Sequence, residues 1–238
     1  MSALSARGLV CGWGGTRVVE AFDLAVEAGE VVLIAGPNGA GKTTAMLTLV
    51  GAIRPLAGTV AISDRVARAR LDVRARAGLA FVPEGRHVFA RLTVRDNLRL
   101  GRGPVARALG LFPQLESLLG RTAGTLSGGE QQMLRLARAL AGEPSVLLVD
   151  ELSLGLAPRV VAQLLACVRE AADAGTAVVI VEQHVRLAVP VADRACVLTR
   201  GRIELRMTGA EMSARLPEIE AAYLSTARRD EARSADPS

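Results

Sequence analysis

Residues 31–51 narrow the possible folds more than any other stretch of the chain. Val31-Val32-Leu33-Ile34-Ala35 is a short run without a polar residue, the mark of a strand buried on both faces. Gly36-Pro37-Asn38-Gly39-Ala40-Gly41-Lys42-Thr43 follows and fits the phosphate-loop pattern GxxxxGK[ST] throughout. Ala45, Met46, Leu47, Leu49 and Val50 then fall in a helix-length stretch that stops at Gly51. Strand, glycine loop and helix in that order turn a nest of backbone N–H groups toward an anion, at the positive end of a helix.

Composition sharpens this reading. Of the 29 lysines and arginines, Lys42 is the one lysine and the other 28 are arginine. A drift toward arginine leaves lysine where arginine cannot substitute. A compact ammonium slips between two phosphates, and a planar guanidinium fork does not. Lys42 is therefore expected on the β- and γ-phosphates of a nucleoside triphosphate and Thr43 on Mg²⁺. Gly36, Pro37, Asn38, Gly39, Ala40, Gly41 and Thr44 are expected around the phosphates.

A chain of 238 residues has ample core for one large domain, expected over 1–225, with a polar, frayed tail over 226–238. No apolar run approaches the ~20 residues that cross a bilayer. The opening MSALSARGLV has no apolar signal core followed by a cleavage site. Cys11, Cys167 and Cys196 are odd in number and form no CxxC pair, so they read as small hydrophobic residues in a reducing cytosol. The net charge is +5, and Arg65, Arg68, Arg70, Arg74 and Arg76 form the densest basic stretch. Phosphate contacts to nucleic acid are one reading of it. Aromatic residues are only 3% of the chain, too few for base-stacking platforms, so the stretch reads as a solvated basic face and no nucleic-acid partner is expected.

Further short apolar runs at 79–82, 146–149, 177–181 and 195–198 alternate with helical patterns. Pro158 suits a first helical position, Val161, Leu164, Leu165 and Val168 form a stripe, and Gly175 suits the stop. This alternation predicts an α/β fold with a mostly parallel sheet. Residues 2–10 and 17–27 read as strands of an antiparallel edge sheet, and Thr199-Arg200-Gly201-Arg202 as a hairpin turn. The stretch 88–140 is helical in pattern, with Thr93 and Asp96 as a capping pair, and reads as a helical lobe inserted into the core.

Leu126-Ser127-Gly128-Gly129-Glu130-Gln131-Gln132 is the second specific string. Ser127 and Glu130 form a capping box for a helix over 131–141. Capping does not call for two glycines in the first turn, where they weaken a helix, whereas close approach to a phosphate does. This string resembles the signature motif of ATP-binding cassette (ABC) proteins, and Val146-Leu147-Leu148-Val149-Asp150-Glu151 resembles their Walker B strand. The resemblance spans about residues 5–225. It implies the P-loop NTPase core of that family, with an inserted helical subdomain, and ATP and Mg²⁺ as ligands. It implies Asp150 on the metal, usually through water, with Thr43 and Glu84 beside it, and Glu151 as the general base. Adjacent residues at an extended strand end point in different directions, so such a pair can divide the two roles. Trp13, the single tryptophan, matches the position that stacks on adenine. Ser127, Gly128 and Gly129 would reach the nucleotide held by a second, head-to-tail ATPase subunit.

Val82-Pro83-Glu84-Gly85-Arg86-His87-Val88-Phe89, Ser153-Leu154-Gly155-Leu156-Ala157-Pro158 and Val181-Glu182-Gln183-His184 are similar to the branched-chain amino-acid transporter branch. That branch implies a subunit on the cytoplasmic face of the cell membrane, working with two membrane permeases, a second ATPase and an extracytoplasmic solute-binding protein. Cargo such as urea, other amides or an exported lipid stays open, as does a soluble ABC-type ATPase with no membrane partner. Two positions depart from the family. Leu152 stands where proline usually follows the catalytic glutamate, which would loosen that turn. The switch-histidine slot falls on Gln183 counted one way and on His184 counted the other. Gln183 can donate an amide hydrogen bond to the γ-phosphate, and His184 adds a titratable ring.

Overall fold

The computed structural model describes residues 2–67, 70–85, 87–217 and 219. The tail expected over 226–238 lies outside the described residues, as do Arg68 and Arg86. The strands and helices run β1 (Ser2–Trp13), β2 (Thr16–Glu27), β3 (Val31–Ala35), α1 (Lys42–Val50), β4 (Ala57–Ile62) and β5 (Arg65–Val66). They continue with α2 (Leu71–Arg76), β6 (Leu79–Val82), α3 (Val94–Arg99), α4 (Val105–Leu111), α5 (Gly128–Leu140) and β7 (Val146–Asp150). The last are α6 (Pro158–Asp173), β8 (Ala177–Glu182), α7 (Val185–Ala188), β9 (Arg194–Thr199) and β10 (Arg202–Thr208).

The central sheet has the order β10-β9-β3-β8-β7-β6, parallel except for β10, which pairs antiparallel with β9. The β9–β10 hairpin turns at Arg200 and Gly201, both with positive φ, as a twisted two-residue hairpin requires. Each interior strand is apolar on both faces because two cores compete for it. Val31, Leu33 and Ala35 of β3 join one cluster with α5 and α6, while Val32 and Ile34 join another with α1 and the N-terminal strands. Side chains that alternate across a strand make this split by parity.

The antiparallel part is a four-stranded sheet of its own, ordered β2-β1-β4-β5. Its last two strands are not announced by the sequence, since only Val60 and Ile62 of β4 are buried and β5 has two exposed residues. The helical insert lies between the adjacent strands β6 and β7. Val94, Leu98, Ala108, Phe112, Leu134 and Leu136 of its helices and connections share the cluster containing Leu147 and Val149. Thr93 caps α3 by accepting from the Asp96 N–H at 3.1 Å, as its spacing predicts.

One expectation fails. Arg74 is no part of a solvated basic face; it is 1% exposed and donates to the carbonyls of Thr48 and Leu49, the latter at 2.6 Å. These carbonyls end α1, so the guanidinium occupies the negative end of the helix that opens with Lys42. The neighbouring arginines Arg65, Arg70 and Arg76 are exposed. Arg74→Ala is expected to cost about 2–4 kcal/mol, because it strips a buried helix end of its donors and leaves a cavity. Urea unfolding measures the loss, and an unchanged midpoint would remove Arg74 from this structural role.

Candidate functional site

The glycine loop leaves the C-terminal end of β3, which lies between β9 and β8, and enters α1 at Lys42. Gly41 precedes the helix at φ +100, and a Cβ there would come within 2.6 Å of Val19 Cγ2. No side chain caps α1, so its first N–H groups remain available to an anion. Lys42 is 6% exposed, and its Nζ donates to the carbonyls of Gly36 at 2.9 Å and Pro37 at 3.1 Å. Burial draws its pKa down, while Glu151, Asp150, Glu182 and Glu84 oppose that shift.

Asp150 closes β7 and is 1% exposed. Burial, with Glu151 and Glu84 nearby, pushes its carboxyl up to about 7 against the pull of Lys42 and the Thr43 hydroxyl. Its Oδ1 has no hydrogen-bond partner. A buried carboxylate oxygen left over beside an exposed threonine hydroxyl fits Mg²⁺, which takes one or two protein donors and completes its shell with water and phosphate. Among the described residues no group of three or more His, Cys, Asp and Glu could hold a metal by itself.

Glu151 departs from the geometry expected of a strand end. Its φ of +49 is left-handed, so a backbone turn separates its side chain from that of Asp150. A non-glycine residue held there costs about 1–3 kcal/mol, a cost tolerated where surroundings fix the turn. Its N–H donates to the Val181 carbonyl at 2.9 Å. Burial raises its pKa, opposed by Lys42.

At the position where proline was expected, Leu152 is fully buried and its carbonyl accepts from Gln132 Nε2 at 3.2 Å. Glu182 fastens the next residue, accepting from the Ser153 N–H at 2.9 Å and the Ser153 hydroxyl at 2.8 Å. Burial raises the Glu182 carboxyl to about 7 despite these bonds. Glu182 and Gln132 have no role marked by the sequence beyond their places inside motif strings.

The glycine loop opens onto a cavity of about 470 Å³. Asn38, Gly39, Gly41, Lys42, Thr43 and Thr44 line one part; Glu84, Glu151 and Gln183 add polar groups. Val18, which no motif marks, and Leu154 also line it. Pro37 is half-buried, and Gly36 and Ala40 are buried in the loop. Trp13 lies beside the site, 56% exposed, with Nε1 3.4 Å from the Thr44 hydroxyl. Gln183 lines the cavity, whereas His184 is exposed and does not.

Ser127, Gly128 and Gly129 stand apart from the cavity lining, at the start of α5. The capping box is present in both directions, with Ser127 N–H to Glu130 Oε2 at 2.7 Å and Glu130 N–H to Ser127 Oγ at 3.3 Å. A Cβ on Gly129 would sit 3.0 Å from Val160 Cγ1, so packing against α6 also selects glycine there. Ser127 and Gly128 are exposed.

A phosphate loop, two acids at the end of β7 and a capped diglycine helix together define a nucleotide-binding cassette. The chain belongs to the ABC transporter family, whose model matches residues 19–153. It is 38% identical over 222 residues to BraG of Pseudomonas aeruginosa, a high-affinity branched-chain amino acid transport ATP-binding protein, covering 89% of this chain and 95% of that protein. It is 34% identical over 224 residues to the lipopolysaccharide export system ATP-binding protein LptB of Escherichia coli, covering 89% and 93%. The fold matches a solved nucleotide-free ATP-binding cassette from an ABC transporter with a TM-score of 0.82 at 23% identity, over 92% of this chain and 96% of that one. Membership makes the chain an ABC ATPase whose hydrolysis is coupled to transport.

Asp150 and Glu182 make the nucleotide-free fold pH-dependent. Both carboxyls are raised to about 7, so between the ordinary carboxylate range and about 7 the folded chain binds more protons than the unfolded one. Stability therefore falls as pH rises through that window and levels off above it. Asp150→Asn is expected to raise the nucleotide-free melting temperature above neutral pH by a few degrees and to flatten this dependence. Thermal scans across pH with and without the substitution measure it, and a variant less stable than the parent above neutral pH would contradict it.

Proposed function

We propose that the chain is the ATP-binding and ATP-hydrolysing subunit of an importer for branched-chain amino acids or a similar small solute, acting on the cytoplasmic side of the membrane. The observation that carries the cargo reading is the likeness to BraG, which runs through 95% of that protein. The likeness to LptB favours lipid export as a second reading at 34% identity. Both readings share the same chemistry. Among the described residues no helix is long and apolar enough to cross a membrane, so passage of a solute requires permease subunits. A second ATPase subunit and a solute-binding protein complete the proposed assembly.

In this reading the triphosphate draws the Lys42 ammonium away from the carbonyls of Gly36 and Pro37. The loop N–H groups from Asn38 to Thr44 take the phosphate oxygens, and Trp13 stacks on the base. Bound Mg²⁺ would be held by Thr43 and Asp150, with Glu84 beside them, and would neutralise phosphate charge. Glu151 accepts the proton of the attacking water, and Gln183 donates its amide to the γ-phosphate, giving ADP and phosphate. Catalysis here is positioning and charge stabilisation. His184 is the alternative for the Gln183 role and would have to turn inward from its exposed position.

Ser127 and Gly129 contribute nothing to the cavity of their own chain, and their exposed cap suits a nucleotide held by a second subunit. Closure of two such subunits around ATP is the step proposed to move the permeases. Glu151→Gln is expected to keep ATP binding and to lower turnover by about 100-fold or more. Phosphate release, measured beside ATP titration, checks both halves, and undiminished turnover would remove Glu151 as the base.

A further inference from the structure

Strand β8 is apolar along its length except at its last residue, Glu182, which is 1% exposed. In the sheet Glu182 lies beside Ala35, the last residue of β3 before the glycine loop. On its other side the β7–β8 ladder ends one residue earlier, at the pair Asp150 and Val181. Past that pair the two chains stay joined. Glu151 donates its N–H to the Val181 carbonyl at 2.9 Å. Ser153 then donates its N–H to Glu182 Oε1 at 2.9 Å and its hydroxyl to Glu182 Oε2 at 2.8 Å. A side chain thus continues the pairing that the backbone gives up where it turns left-handed at Glu151.

Burial alone argues against an acid at this position. Desolvation disfavours the Glu182 carboxylate, and the charge of Glu151 opposes it further. Another valine would continue the strand at lower cost. What the acid supplies is a pair of fixed acceptors, placed just beyond a residue held at positive φ. Such a conformation persists only where its surroundings enforce it. Backbone torsions at Glu151 set the direction of its Cα–Cβ bond. A turn free to relax would therefore swing the Glu151 carboxylate off its line to the water it deprotonates, and small misplacements of a reacting group are costly.

We infer that Glu182 is a positioning residue for ATP hydrolysis, gripping Ser153 so that the left-handed turn aims the Glu151 carboxylate at the attacking water. The inference rests on the assignment of Glu151 as general base above. Glu182 does not line the nucleotide cavity, so it acts through the backbone and not on the nucleotide. Its two bonds, rather than its charge, perform this role. A glutamine of the same length keeps both, with its oxygen accepting from the Ser153 N–H and its NH₂ donating to the hydroxyl oxygen. Alanine keeps neither and leaves the Ser153 N–H without an acceptor in a buried turn.

The test is phosphate release by the full chain at saturating ATP and Mg²⁺, measured beside ATP titration. Glu182→Ala is expected to lower turnover by about 10-fold or more while ATP affinity stays within about 2-fold. Glu182→Gln should keep turnover within about 3-fold of the parent, because both contacts survive. Combined with Glu151→Gln, Glu182→Ala should cost no more than about 2-fold further, since a residue that acts through the base has nothing left to position. Ser153→Ala removes one bond from the other side and should give a smaller loss of the same kind. It keeps the test decisive if Glu182→Ala does not fold, and undiminished turnover there would then overturn the inference. So would a glutamine variant as slow as the alanine one, an affinity that falls in step with turnover, or a loss that adds in full to that of Glu151→Gln. These failures leave Glu151 as the base, whereas full turnover in Glu151→Gln itself removes both assignments.

Discussion

The structure depends on a charge balance that the chain alone does not complete. Lys42 is buried against the carbonyls of its own loop, with Asp150, Glu151, Glu182 and Glu84 all close enough to shift its ionisation. Burial works against Lys42, Asp150, Glu151 and Glu182 in their charged forms. It lowers the lysine pKa and raises those of Asp150, Glu151 and Glu182. One ammonium faces several carboxylates, and an oxygen of Asp150 finds no donor. A triphosphate with a divalent cation brings an acceptor for the ammonium and a partner for the carboxylates. Binding energy is stored as an unfinished electrostatic arrangement rather than as apolar surface.

Helix α5 joins this cluster to its surroundings. Gln132 holds the Leu152 carbonyl beyond the two acids, and Arg135 and Arg138 hold the carbonyls of Gly85 and His87 beyond Glu84. The same helix begins with the exposed Ser127 cap. Bonds from this one helix therefore reach both loops that carry acids into the cavity. This gives a physical path by which contact with a second subunit would reach the reacting groups.

Much of this was legible in the sequence because the motifs specify backbone as well as chemistry. The β3–loop–α1 unit, the split of charged and apolar residues, and the capping box at Ser127 all follow from local patterns. Three features were not. Strands β4 and β5 bury too few side chains to show alternation. The left-handed turn at Glu151 is set by tertiary bonds, its N–H to Val181 and the Ser153–Glu182 pair, which no spacing rule contains. Arg74 reads as one of a run of surface arginines, and only the position of the α1 C-terminus explains its burial. Gln183 and His184 stayed open because adjacent residues satisfy the same spacing, and the cavity lining distinguishes them geometrically.

The most direct test of the central claim is titration of the chain with ATP and Mg²⁺ before and after Lys42→Ala. If the ammonium is held in reserve for the phosphates, the substituted chain folds and loses most of its affinity, by about 10-fold or more for a charge-assisted contact. Affinity unchanged within error, in a folded variant, would contradict the account of the whole site.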